Sequence, residues 1–136
     1  MKKTILFSIL ILSTLFTACN DDNDADVKKG KLSGSSWVAK NSFSSTTGNN
    51  EYTYTITFTS DEIGKRTEIG WYQVINAATW QMGPKQQVDK SSNFTYVYSP
   101  ELRTGVIEYS SKNKVIFSIS DDFKELIYGS TTYTRK

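Results

Sequence analysis

Residues 51–59 read EYTYTITFT, and their apolar and polar positions alternate: Tyr52, Tyr54, Ile56 and Phe58 fall on one face, Thr53, Thr55, Thr57 and Thr59 on the other. A period of two is that of a half-buried strand. FTYVY repeats the pattern with Phe94, Tyr96 and Tyr98 on one face, and KVIFSIS with Val115, Phe117 and Ile119. Clusters of Gly, Asn, Asp and Ser interrupt these runs: TTGNN at 46–50, SDE at 60–62, SPELRTG at 99–105, SSKN at 110–113, SDD at 120–122 and GST at 129–131. Such residues supply the positive φ angles and local hydrogen bonds of turns. The alternation and its breaks predict eight strands, at about 35–44, 51–59, 65–75, 93–98, 105–110, 114–119, 124–129 and 131–135. Short links in the C-terminal half make neighbouring strands antiparallel.

An eight-strand meander with one apolar face hides its edges by closing into a barrel or folding into a sandwich, and sequential hairpins without a long return favour the barrel. The composition agrees, being rich in Thr, Ser, Tyr and Ile, with 18 aromatic residues of which all but Phe7 and Phe16 lie beyond the N-terminal segment. The expected fold is therefore all-β, a small antiparallel up-and-down barrel. A barrel of about eight strands is either filled by side chains or holds one small molecule. Tyr52, Tyr54, Phe58, Tyr96, Tyr98 and Phe117, if inward, leave a mostly filled interior with an open mouth. One long connection, roughly 76–92 (NAATWQMGPKQQVDKSS), stands apart. It carries Trp80 and Met82 just before Gly83-Pro84, as a contact loop or as an apolar plug over one barrel end. Trp71 and Tyr72 are adjacent on a strand, so one of them leaves the core. Trp71, Tyr72, Trp80, Met82, Tyr96 and Tyr98 are the candidate contacts for a ligand or partner.

The N-terminus follows a different rule. Lys2 and Lys3 precede an apolar run from Ile5 to Phe16, followed by the small residues Thr17 and Ala18 and then Cys19, the only cysteine. This is the order of a secretory signal, and the run is shorter than the roughly 20 residues that cross a bilayer. Phe16-Thr17-Ala18-Cys19 resembles a bacterial lipobox, which implies a signal peptide over 1–18 and an acylated Cys19 as the mature N-terminus. Asp21, Asp22, Asp24 and Asp26 then make residues 19–31 a solvated linker. The acidic stretch is similar to the export signal of lipoproteins displayed on the outer leaflet of the Gram-negative outer membrane; a periplasm-facing position is the alternative. The domain is expected over 32–136.

Within that domain LSGSSW at 32–37 is similar to the Gly and Trp that open the first lipocalin strand, and VIFSISDDFKELIYGSTTYTRK at 115–136 to the closing hairpins. The chain thus resembles the lipocalin-like domains of bacterial surface lipoproteins. The resemblance implies the barrel, with Trp37 at its base, and names no ligand.

The full chain has 16 basic and 14 acidic residues. Loss of Lys2 and Lys3 leaves the mature chain formally neutral, and the basic residues are dispersed, unlike the clustered footprint of a nucleic-acid binder. Without histidine, and with Cys19 acylated, the chain has no Ser-His or Cys-His nucleophile and no ordinary zinc site. The acidic doublets Asp61-Glu62 and Asp121-Asp122 read as solvated turns, and no loop has graded Ca²⁺-ligand spacing. No enzyme and no cofactor are expected. Two readings lead: a module binding a small apolar or saccharide ligand at the barrel mouth, and an accessory protein docking on a protein partner through 76–92. A carboxylate-based hydrolase is the third.

Overall fold

The computed structural model describes residues 31–136. The expectations for the signal peptide, Cys19 and nearly all of the acidic linker therefore fall outside the described residues. Nine strands follow one another: β1 (Ser36–Ser44), β2 (Gly48–Phe58), β3 (Ile63–Asn76), β4 (Gln81–Met82), β5 (Gln86–Ser99), β6 (Thr104–Tyr109), β7 (Lys114–Ile119), β8 (Glu125–Tyr128) and β9 (Thr131–Arg135). All pairings are antiparallel. β1 pairs β9 through Trp37↔Arg135 and Val38↔Thr134, which closes an eight-strand up-and-down barrel in the order β1-β2-β3-β5-β6-β7-β8-β9. The two-residue β4 is an addition to the outer end of β3.

The apolar positions that alternate in sequence line the interior. Ile56 and Phe58 of β2, Phe94 and Tyr96 of β5, Ile107 of β6, Phe117 and Ile119 of β7, Leu126 of β8 and Tyr133 of β9 are all buried. Phe58 is the hub, with ring centroids 4.7 Å from Tyr96, 5.5 Å from Phe117 and 5.8 Å from Phe94. The Tyr96 and Phe94 contacts are edge-on and the Phe117 contact is tilted, and aromatic pairs of this kind add to the area term. A glycine makes room for one ring: a side chain at Gly105 would collide with the Phe117 ring and the Val97 carbonyl.

The barrel has a closed pole. Trp37 is fully buried there, its indole Nε1–H donating to Ser35 Oγ at 3.0 Å while Ser35 Oγ–H donates to the Leu32 carbonyl at 2.6 Å. Buried polar atoms need such partners, and this relay satisfies the indole without water. Gly34, at φ 82°, turns the chain so that its N–H reaches the Phe58 carbonyl at 2.7 Å. The Arg135 guanidinium lies 5.8 Å from the Trp37 ring centre. Tyr96 belongs to this pole as well: its hydroxyl donates to the Ser60 carbonyl at 2.7 Å, and burial pushes its pKa up to about 12.

The opposite pole is uneven. β2 pairs β3 along its whole length, from Phe58↔Gly64 to Gly48↔Val74, and β3 pairs β5 out to Tyr72↔Gln86. β6 to β9 are much shorter, so β1, β2, β3 and β5 continue past them as a curved hood. The long connection expected over 76–92 is thereby corrected. Only a turn at 77–80 separates β3 from β4, and Gln86–Asn93 is strand. Those residues, QQVDKSSN, stand beyond the closed ring, where no apolar face is required, so the stretch carries no period-two signal.

Candidate functional site

The inward face of β3 is polar where its neighbours are apolar. In register, Arg66 lies opposite Ile56 and Glu68 opposite Tyr54, so both side chains enter the interior just above the filled half. Arg66 Nη1 is 3.9 Å from Glu68 Oε2, too long for a tight ion pair. The guanidinium carbon sits 5.2 Å from the Tyr54 ring centre and 5.9 Å from that of Tyr128. These are cation–π distances, and they fix the cation between two rings. Arg66 Nε is buried with no hydrogen-bond acceptor. Below it, the Tyr109 and Tyr128 hydroxyls share a hydrogen bond of 2.8 Å.

Above this floor opens a recess of about 460 Å³, walled by Tyr54, Arg66, Glu68, Thr131, Thr132 and Tyr133, with Lys40, Asn41 and Ser130 at its sides. Burial raises the pKa of Tyr54, Tyr109 and Tyr133; the Glu68 carboxylate reinforces the shift at Tyr54, the bond to Tyr128 that at Tyr109, and Arg66 opposes it at Tyr133. All three phenols therefore keep their protons at neutral pH, and the Tyr133 hydroxyl accepts from Arg66. Burial lowers the Arg66 pKa, its interactions with the tyrosines raise it, and the net shift is upward, so the guanidinium stays charged. The mouth combines a fixed cation, one carboxylate and several flat phenol rings.

The six contact residues expected from sequence are distributed over four places. Tyr96 and Tyr98 are at the closed pole, Tyr96 buried and Tyr98 stacked on Phe117 with centroids 5.9 Å apart, so they pack the core away from the mouth. Trp71 and Met82 lie on the outer face of the hood, where Lys85 Nζ covers the Trp71 ring at 3.9 Å and Met82 pairs with Ile75. Tyr72 is on the inner face of the hood and partly exposed. Trp80 is at the tip of the β3–β4 hairpin, 80% exposed, so it plugs nothing. Asn76 builds that tip: its side-chain carbonyl accepts from Ala78 N–H at 2.9 Å and its backbone carbonyl from Trp80 N–H at 2.8 Å. Trp80 is held there at φ 56°, an unfavourable conformation for so bulky a residue.

The residues that do meet at the mouth were not singled out as a site by the sequence. Arg66 follows Lys65 and reads as half of a surface basic pair. Its signal was the register: Arg66 and Glu68 are two apart, hence on one face, and Gly64 and Gly70 flank them on that same face. Among the described residues, no three His, Cys, Asp or Glu side chains gather as a metal-holding group.

Comparison of the chain with family models, with curated proteins and with solved structures finds no match.

Proposed function

We propose that this chain is a surface lipoprotein, anchored in the outer membrane by an acylated Cys19, whose lipocalin-like barrel binds a saccharide in its mouth. The observation that carries the binding reading is the recess itself. Flat tyrosine faces stand beside a charged pair and a row of hydroxyl donors, which is the equipment for stacking on a sugar ring and hydrogen-bonding its rim. A purely apolar ligand is less well served, because Phe58, Phe94, Phe117 and their neighbours fill the space beneath. Orientation supports the same reading. The described chain enters the barrel at the closed pole, where Leu32 is buried, so an upstream lipid anchor leaves the mouth facing away from the bilayer.

A second reading has its own observation. Trp80, exposed and held at positive φ on a projecting hairpin, has the features of an anchor for a protein partner. Native mass spectrometry of the full chain, recovered in detergent from its own cells, separates the two. A small added mass lost on collisional activation is the expected result; a co-isolated protein lost on deletion of residues 77–80 favours the hairpin. A bare chain under every condition counts against both.

A further inference from the structure

We infer that the mouth recognises a carboxylate: its ligand is an acidic monosaccharide unit, with the carboxylate on Arg66 and the ring hydroxyls donating to Glu68. This rests on the saccharide reading above and names the class of sugar.

Arg66 is poorly neutralised. Among the described residues its only carboxylate contact is at 3.9 Å; its side chain also donates to the Tyr133 hydroxyl, but its Nε has no acceptor. A guanidinium has five donors in a planar fork, and leaving them short of acceptors in a part-buried site is unfavourable. Because Nε is shut off from solvent while Arg66 lines the recess, the Nη end is the part a ligand can reach. A carboxylate fits that end with two parallel hydrogen bonds, and the rings of Tyr54 and Tyr128 already hold the plane in place.

Local charge and size narrow the class. Arg66 and Glu68 are the two charged side chains on the inward face at the recess, while Lys40, opposite Thr53, belongs to the outward face of β1; a single inward cation suits one carboxylate better than a phosphate dianion. Glu68 would repel a second carboxylate but accepts hydroxyl hydrogens well. A ligand bearing both a carboxylate and vicinal hydroxyls meets both residues at once. The recess, about 460 Å³, is at the smaller end of small-molecule sites, which run roughly 300–1,000 Å³, so it holds a sugar unit and not a long acyl chain. The unit can be a free acid or the end of an acidic polysaccharide.

The test uses saturation-transfer NMR on the full chain in detergent, with D-galacturonate, its neutral isostere D-galacturonamide, and trigalacturonate as probes. The acid is expected to bind about tenfold or more tighter than the amide, the factor one charge-assisted hydrogen bond supplies. Arg66→Gln should erase that preference, and Arg66→Lys should retain part of it, because the charge survives without the fork. If neither variant folds, the acid-to-amide ratio of the wild type still decides. Equal binding of acid and amide overturns the carboxylate inference and leaves the saccharide reading standing; saturation by none of the probes overturns both. Trigalacturonate tighter than the monomer identifies a polymer as the source, and the reverse identifies the free acid.

Discussion

Trp37→Ala is expected to destabilise the barrel by about 3–5 kcal/mol, the range for removing a buried aromatic side chain. Domains of this size have roughly 5–15 kcal/mol in all, so the variant should be largely unfolded at modest urea concentrations. Two features place the effect at the upper end of the range. The indole is fully buried and closes one pole. It also loses the bond to Ser35 Oγ and the face on which Arg135 lies. Urea unfolding followed by far-UV circular dichroism measures the loss. Trp80→Ala is the internal control: at 80% exposure its change should stay within about 0.5 kcal/mol. Similar costs for the two substitutions would contradict the assignment of Trp37 to the base.

Cys19→Ser should release the chain from membranes altogether. Each buried methylene contributes about 0.8 kcal/mol, and durable attachment needs more than one chain or a second signal. Lys28, Lys29 and Lys31 are too few to hold the protein by charge alone, since a lysine near an anionic surface contributes about 1 kcal/mol and salt screens it. The wild type should sediment with membranes after a high-salt wash, and the variant should remain in the supernatant. A variant that still sediments after loss of its signal peptide, checked by intact mass, would rule out the lipid anchor, and with it the orientation that turns the mouth outward.

How far the sequence reveals the fold depends on where each strand lies. Tyr52 to Phe58, Phe94 to Tyr98 and Val115 to Ile119 alternate because one face meets a core and the other meets water, so strand and facing were both legible there. Gln86–Asn93 was not, because a strand in the hood is wet on both faces and nothing selects an apolar period. The candidate site was hidden for a related reason. Arg66 and Glu68 look like surface charges until the register with Ile56 and Tyr54 is known, and register is a property of strand pairs. Conversely, Trp71, Trp80 and Met82 drew attention as conspicuous residues in polar company, yet they stand on the hood and its hairpin, apart from the recess. Tyr54, Tyr128 and Tyr133 have two roles: their rings complete the core, and they also form the floor or wall of the mouth; alternation showed only the first, and only for Tyr54.

Mapping a sugar titration by ¹H–¹⁵N correlation spectra of the isotopically labelled full chain tests the binding site most directly. Shifts concentrated on Tyr54, Arg66, Glu68 and residues 130–133, saturating with a single affinity, are the predicted result. Shifts confined to residues 71–82, or none with any mono- or disaccharide, acidic or neutral, would contradict it and remove the barrel mouth as the functional site.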